Sequence, residues 1–278
     1  MSQNPLSILI HTYNEADQIV DCLRSVEWAD EIFLIDGFST DGTADIVRST
    51  FPRVRVEQRV SLGSAAQKNY GMDRTAHDWI LVIDADERAT PALAAEVRRT
   101  LENPTRWAYA IGRRNFVLDR EIRFSGLQND RVTRLFHRGH ARYPNRRVHA
   151  DLVVDGEAGA LDAKFDHYYV RSFDHMVAKM TRYGVWAAAQ LWIDGRRSST
   201  AKILLRPAGR FVREYVLQQG FRDGVRGLLV TGLHTFYVFW KYGKLWELEW
   251  RARRDLPLEL PEVETDPAIW RRPWERRK

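Results

Sequence analysis

Three short apolar runs in the first third of the chain each lead straight into a polar cluster, and this limits the fold more than any other feature. Leu6–Ile10 leads into His11-Thr12-Tyr13-Asn14-Glu15. Glu31–Asp36 (EIFLID) leads into Gly37-Phe38-Ser39-Thr40-Asp41-Gly42-Thr43, and Trp79–Asp84 (WILVID) into Ala85-Asp86-Glu87. Runs this short, bounded by turn-forming residues, read as strands buried on both faces. Helical spacing separates them. Ile19, Leu23 and Val26 recur on one face, Thr43–Ser49 reads as a short helix, Val54–Val60 as a further strand and Ala65–Thr75 as a helix. After the WILVID strand, Thr90 is a helix N-cap and Pro91 its first residue, with Leu93, Val97 and Leu101 on one face. Strands alternating with helices imply a parallel sheet with right-handed crossovers. Such a sheet binds ligands at the carboxyl ends of its strands, which is where the three polar clusters lie.

The rest of the chain changes character. Residues 107–170 are strand-like but irregular, with RLFHR, DLVVDG and AKFDHYYV as candidate strands. Phe173–Trp192, Ile203–Leu217 and Val225–Trp240 read as helices, and the end from Asp255 is charged and Pro-rich. The expected division is therefore an α/β domain over 1–170, a helical basic region over 171–254 and a charged tail over 255–278. Charge follows the same division: 22 Lys/Arg stand against 25 Asp/Glu in residues 1–170, and 21 against 12 in residues 171–278. A basic helical part suits phosphate, nucleic acid or an anionic membrane surface. Val225–Trp240 contains Arg226 and His234 and falls short of a membrane span. Arg210, Arg213, Arg222, Lys241 and Lys244 flank it, with Tyr237, Trp240, Tyr242 and Trp246 nearby. That pattern fits a helix lying in a membrane interface, or a core or oligomerisation helix. The single cysteine, Cys22, rules out an internal disulfide and fits a reducing compartment. The opening MSQNPLSILIHTYNEAD shows no leader pattern.

Asp84-Ala85-Asp86 carries the clearest chemistry. Two carboxylates one residue apart at a strand end can chelate a hard divalent cation, Mg²⁺ or Mn²⁺, with a nucleotide diphosphate supplying further ligands. The other reading of the triplet is a solvated turn.

The triplet has company. The HTYNE turn, the Asp36-Gly37-Phe38-Ser39-Thr40-Asp41-Gly42-Thr43 turn, the helix Gly63-Ser64-Ala65-Ala66-Gln67-Lys68-Asn69-Tyr70-Gly71 and the strand with Asp84 and Asp86 follow in an order that resembles the inverting family 2 glycosyltransferases, over about residues 6–90. The resemblance implies a GT-A fold, a nucleotide-diphospho-sugar transferase whose mostly parallel sheet is flanked by helices, here with a helical C-terminal extension. It also implies that Thr12, Tyr13 and Glu15 line the base and ribose, and that Asp36 accepts a hydrogen bond from the uracil imide or a ribose hydroxyl. Gly63 would allow close backbone approach, Ala66 would lie in the nucleotide-sugar site, and Lys68 would reach a phosphate or the base. Asp84 would sit near the ribose or the metal, and Asp86 would be the principal metal ligand. Ser39, Asp41 and Gly42 suit loop shaping and capping better than ligand contact.

Downstream, Asp130-Arg131-Val132-Thr133-Arg134-Leu135-Phe136-His137-Arg138-Gly139 is similar to a stretch of the bacterial lipopolysaccharide core-type members. Val148-His149-Ala150-Asp151 resembles a V-H-E signature, except that Ala150 stands where a Glu is usual. An inverting transfer needs a carboxylate to take the acceptor proton. Asp130 is the first candidate for that base and Asp151 the second, with Arg134 and His149 as candidate acceptor contacts. Arg134 could equally pair with a neighbouring acid. His167 and His175, lone histidines among aromatics, read as packed or capping groups rather than metal ligands.

The expected protein is thus a metal-dependent enzyme moving a sugar, with UDP-glucose as the donor by analogy, to a lipopolysaccharide-core or other glycolipid or saccharide acceptor. It would work on the cytoplasmic side, peripheral to the inner face of the membrane, with its oligomeric state open. Nucleotidyl transfer would call for a Gly-rich basic loop after the first strand, where this chain has the acidic HTYNEAD. A basic nucleic-acid-binding protein finds no recognition motif here. A nucleotide-sugar binder without catalysis is the remaining alternative, prompted by Ala150.

Overall fold

The computed structural model describes residues 4–146 and 151–274. In chain order the strands are β1 (Leu6–Thr12), β2 (Glu31–Asp36), β3 (Arg55–Gln58), β4 (Trp79–Asp84), β5 (Glu87–Ala89), β6 (Ala108–Val117), β7 (Arg120–Ile122), β8 (Arg131–His137), β9 (Ala141–Arg142), β10 (Val153–Val154) and β11 (Gly159–Val170). The helices are α1 (Ile19–Arg24), α2 (Thr43–Thr50), α3 (Ser64–Met72), α4 (Pro91–Glu102), α5 (Phe173–Ile193), α6 (Thr200–Phe211) and α7 (Gly224–Ala252). They form two compact units. One takes its described residues from 4–114, 131–167 and 264–274, and the other comprises 115–130 and 168–263.

In the first unit, β3, β2, β1 and β4 are parallel neighbours, as the βα alternation requires. The sheet then continues through β8, β6, β11 and β5, and β4 with β8, β8 with β6, and β11 with β5 pair antiparallel, so the whole is mixed. Both faces are covered. Leu6, Ile8 and Ile10 of β1 join Ile19, Leu23, Val47, Leu93 and Val97 in one cluster, and Leu9 joins Phe33, Ile35, Ala65 and Met72 in the other. This is the period-two alternation of a strand buried on both sides. A Cβ at Gly71 would collide with Leu9 and Ile35, so the second glycine of the α3 motif lets that helix sit close on the sheet. Thr90 caps α4 by accepting from the Leu93 N–H at 3.2 Å, with Pro91 beginning the helix.

Register sets the level of the site. Thr12 pairs with Asp36, and His11 with Asp84, so the carboxyl ends of β1, β2 and β4 finish together. The C-terminal stretch expected to be a tail belongs to this unit from Glu264 on. Glu264 pairs with Arg59, Ile269 is buried, and the Ile269 carbonyl accepts from Arg142 Nε at 2.8 Å.

The second unit is built on α5, α6 and α7. A π-helical segment, Val212–Leu217, follows α6, and a short turn leads into α7. The apolar run read as facing lipid, a core or a second subunit lies within α7, where Gly227, Val230, Thr231, Leu233 and His234 are buried and Val225, Leu228 and Phe239 are exposed. One side of it packs within the unit. Among the described residues no helix is long and apolar enough to cross a membrane.

Candidate functional site

The loops after β1 and β2 are tied to each other. Asn14, at φ +57°, donates its N–H to Ser39 Oγ at 2.9 Å, and its side-chain oxygen accepts from the Thr40 N–H at 2.8 Å. Asp41 accepts from the N–H groups of Ala16 (2.9 Å) and Thr43 (3.0 Å), while the Glu15 N–H donates to Thr43 Oγ1 at 3.0 Å. Burial works to raise the Asp41 carboxyl, and these hydrogen bonds, led by the Thr43 hydroxyl, outweigh it and lower the pKa. Ser39 and Asp41 are thus loop-shaping residues, and Gly42 at φ +87° supplies the left-handed turn into α2.

Two of the residues expected at the nucleotide are enclosed. Asp36 is fully buried, and its carboxylate accepts from the Ser39 N–H at 3.0 Å, the Ser39 hydroxyl and Gln58 Nε2 at 3.0 Å. It braces the loop from inside. Ala66 is likewise fully buried in α3. Tyr13, in contrast, is 39% exposed at the tip of the β1 loop, where a base could lie on it. Gly63, at φ +110°, turns the chain into α3 in a conformation that favours glycine.

A compact group of charges occupies the end of β4. Lys68 Nζ lies 3.5 Å from Asp84 Oδ1, and Arg134 bonds Asp84 Oδ2 directly. Glu87 is fully buried and accepts the Asp84 N–H at 2.9 Å, and it faces Arg113 at 3.3 Å and Arg134 at 3.8 Å. Asn69 holds the segment beyond β9, its amide exchanging hydrogen bonds with the Tyr143 backbone at 2.9 and 3.0 Å. The K-N pair of the α3 motif therefore serves two ends, Lys68 the charge cluster and Asn69 the scaffold.

The electrostatics follow from burial and pairing. Burial alone would raise the Asp84 carboxyl, but Arg134 and then Lys68 hold it well below the usual carboxylate range. Lys68 is brought down to about 8 by burial first and Arg134 second. Burial and the neighbouring Lys68 push His11 down to about 3, so it is a neutral imidazole. It lies 3.6 Å from Asp84 and bonds Ser64 Oγ at 3.1 Å. Burial opposes the charge on Arg134, and Asp84 and Glu87 more than restore it. The acceptor contact expected of Arg134 gives way to this internal pairing, since its side chain is 7% exposed.

Asp86 is buried too, and His167 Nε2 stands 3.6 Å from its Oδ1. Sequence reasoning had set His167 aside. It arrives because β11 pairs antiparallel with β5, putting His167 opposite Glu87. A carboxylate oxygen and an imidazole nitrogen this close fit two donors of one divalent cation. Among the described residues no three His, Cys, Asp or Glu side chains meet in a metal-binding group, so further ligands would have to come from substrate or water. At this level the buried Thr12 Oγ1 makes no hydrogen bond within the protein, while Asp84 Oδ1 and His11 Nδ1 face each other at 3.6 Å. A buried hydroxyl left so costs roughly 1–3 kcal/mol.

Asp130 belongs to the second unit, where its carboxylate accepts from Asn115 Nδ2 at 3.3 Å. Asp151 is exposed in the first unit. His149 and Ala150 lie outside the described residues.

A sheet whose parallel strands end in cross-tied loops, beside a paired acidic triplet, defines a GT-A nucleotide-sugar transferase fold. The chain belongs to glycosyl transferase family 2, whose profile it matches over residues 7–152. It is a glycosyltransferase. The lipopolysaccharide core biosynthesis glycosyltransferase LpsC of Rhizobium meliloti (strain 1021) is 28% identical to it, over 87% of this chain and 92% of its own. A glycosyltransferase of Rickettsia bellii (strain RML369-C) is 27% identical, over 95% and 94% respectively. Among solved structures, glucosyl-3-phosphoglycerate synthase from Mycobacterium tuberculosis, in complex with Mn²⁺, UDP and glucosyl-3-phosphoglycerate, is 19% identical with a TM-score of 0.35. That match covers 41% of this chain and 45% of the synthase, so the chain spans under half of that enzyme's length.

Proposed function

We propose that this glycosyltransferase moves a hexose from a UDP-sugar to a lipopolysaccharide-core or other glycolipid or saccharide acceptor, with Mg²⁺ or Mn²⁺ held at Asp86 and His167. The juxtaposition of Asp86 and His167 beside the Asp84–Lys68–Arg134 cluster carries the reading. The name and long coverage of LpsC support the acceptor class. UDP-glucose heads the donor panel by family analogy alone.

Each residue has a chemical task. Tyr13 and Thr12 bind base and ribose, with Thr12 Oγ1 gaining the partner it lacks within the protein. Glu15 completes that wall. Gly63 lets the backbone come close to the nucleotide. Lys68, already desolvated, offers its ammonium to the diphosphate, and Asp84 is held as an anion between that group and the ribose or metal. When bound, the cation neutralises charge that builds on the leaving diphosphate.

The cluster's carboxylates Asp84, Asp86 and Glu87 are matched by the basic groups Lys68, Arg113 and Arg134. Adding a divalent cation alone, or a dianionic nucleotide sugar alone, would leave uncompensated buried charge. Taken up together they leave the balance unchanged, so donor and metal bind as a pair.

In the transfer itself the acceptor oxygen bonds to C1 as the C1–O bond to the diphosphate breaks on the opposite face. The acceptor proton passes to a carboxylate, for which Asp130 is the first candidate and Asp151 the second. The enzyme would act at the inner face of the cytoplasmic membrane, where a lipid-linked acceptor is presented.

Diphosphate release from UDP-glucose and related donors, with Mn²⁺, Mg²⁺ or EDTA, tests this reading. Metal-dependent release lost in Asp86→Ala is the expected result, and Asp130→Asn against Asp151→Asn separates the two bases. If no nucleotide sugar with metal gives release or thermal stabilisation, the donor site is wrongly assigned.

A further inference from the structure

α6 carries its apolar stripe on the outside. Ala201, Leu204, Leu205, Ala208 and Val212 recur at the three- and four-residue steps of one helical face, and all are exposed, Leu204 at 62% and Leu205 at 69%. The surface continues past the helix through Val216, Leu217 (72%), Phe221 and Val225 (71%). The opposite side of this segment is pinned inward by polar contacts. Glu214 is buried, takes an ion pair from Arg210 at 2.5 Å and meets His234 Nδ1 at 2.8 Å, and His234 Nε2 in turn meets the Tyr169 hydroxyl at 2.6 Å. The orientation of the segment is therefore set by its inner contacts, and the apolar side is left to water.

The segment that carries this face is mostly basic, with Arg226 paired to Asp119. Residues 200–228 contain the basic residues Lys202, Arg206, Arg210, Arg213, Arg222 and Arg226 and only two acids, Glu214 and Asp223. Both acids are engaged inside the unit, Glu214 as above and Asp223 by accepting the N–H groups of Arg123 and Phe124 at 3.2 and 2.8 Å. Arg206, Arg213 and Arg222 are exposed beside the apolar residues. Contiguous exposed apolar surface marks an interaction site. A rim of unbalanced arginines selects an anionic partner, and the combination matches the boundary between phosphate headgroups and acyl chains.

We propose that α6, the π-helical segment after it and the turn into α7 form an interfacial anchor that inserts its Leu204–Val225 face into an anionic lipid surface. This deepens the membrane-acceptor reading and rests on it for its purpose, while the surface itself stands on the exposure and charge of this segment.

The test is flotation of the full chain with vesicles of phosphatidylcholine alone or with added phosphatidylglycerol. Binding is expected only with the anionic vesicles and should weaken as salt is raised. Leu204→Gln with Leu205→Gln, and separately Arg206→Gln with Arg213→Gln, should each lower the partition by roughly tenfold or more. Donor diphosphate release, measured without lipid on the same variants, should be unchanged and reports that they fold. Wild-type protein that stays unbound, or variants that float like wild type, overturns the proposal. A dimer in light scattering that the leucine variants split would assign the face to a second copy instead. Vesicle binding without any donor turnover would leave the anchor standing and remove the donor reading, and turnover without vesicle binding would do the reverse.

Discussion

The two units depart from the usual distribution of polar and apolar groups in opposite directions. The first buries charge: Lys68, Asp84, Asp86, Glu87 and Arg134 are enclosed at the end of β4. The second exposes hydrocarbon along α6 and the turn beyond it. A buried charge is tolerable only with its partner at hand, so the first unit supplies the partners from within, through Arg134, Lys68 and Arg113. An exposed leucine has no such internal remedy, because its partner must come from outside the chain. The first unit is therefore sensitive to losing any member of its cluster, and the second tolerates change at its surface until it is asked to bind.

The largest effect that would test this contrast is Arg134→Met. It leaves Asp84 with Lys68 alone and Glu87 with Arg113 alone, and we expect a loss of about 3–5 kcal/mol in urea unfolding. A loss below about 1 kcal/mol would mean that water reaches the cluster and that its charges are not truly enclosed.

Next is His167→Asn. If His167 is a metal donor, the variant should bind nucleotide sugar plus Mn²⁺ roughly 10–100-fold more weakly in calorimetry, by the scale of metal-site substitutions. With EDTA present, variant and wild type should bind nucleotide alike. A difference that persists in EDTA would make the histidine a packing group after all.

Paired leucine truncations give a direct comparison of the two surroundings. Leu81→Ala, at a fully buried position in β4, should cost about 2–5 kcal/mol, since it loses both burial and packing. Leu205→Ala should shift stability by no more than about 0.5 kcal/mol. Equal costs would show that α6 is covered in the isolated protein.

Removing the Thr90 hydroxyl is a milder probe. Thr90→Ala should cost about 1 kcal/mol through the lost hydrogen bond to the Leu93 N–H, with donor binding unaffected.

Much of the first unit could be read locally. β2 and β4 coincide with the EIFLID and WILVID runs, and α4 begins at the expected cap, because these signals are contained in a few neighbouring residues. The expected strand Val54–Val60 is trimmed to Arg55–Gln58 at the sheet edge, where only one neighbour pairs with it. The loop roles of Ser39 and Asp41 were likewise readable from residue type. The burial of Asp36 and Ala66 was not, because it depends on what packs over them, whereas the pairing of Arg134 with a neighbouring acid was one of its two readings. His167 carries no local mark at all, and only the pairing of β11 with β5 brings it to Asp86.

By itself the sequence determined the strand and helix alternation, the level of the polar clusters and the family, since periodicity and turn chemistry act over a few residues. The tertiary structure alone decided which charges pair, that Asp36 faces inward, and that His167 joins Asp86. It also decided which way α6 turns its apolar stripe. An amphipathic helix has the same periodicity whether that stripe meets a core or a membrane. Only the contacts on its other side, here Glu214 with Arg210 and His234, say which face is left outside.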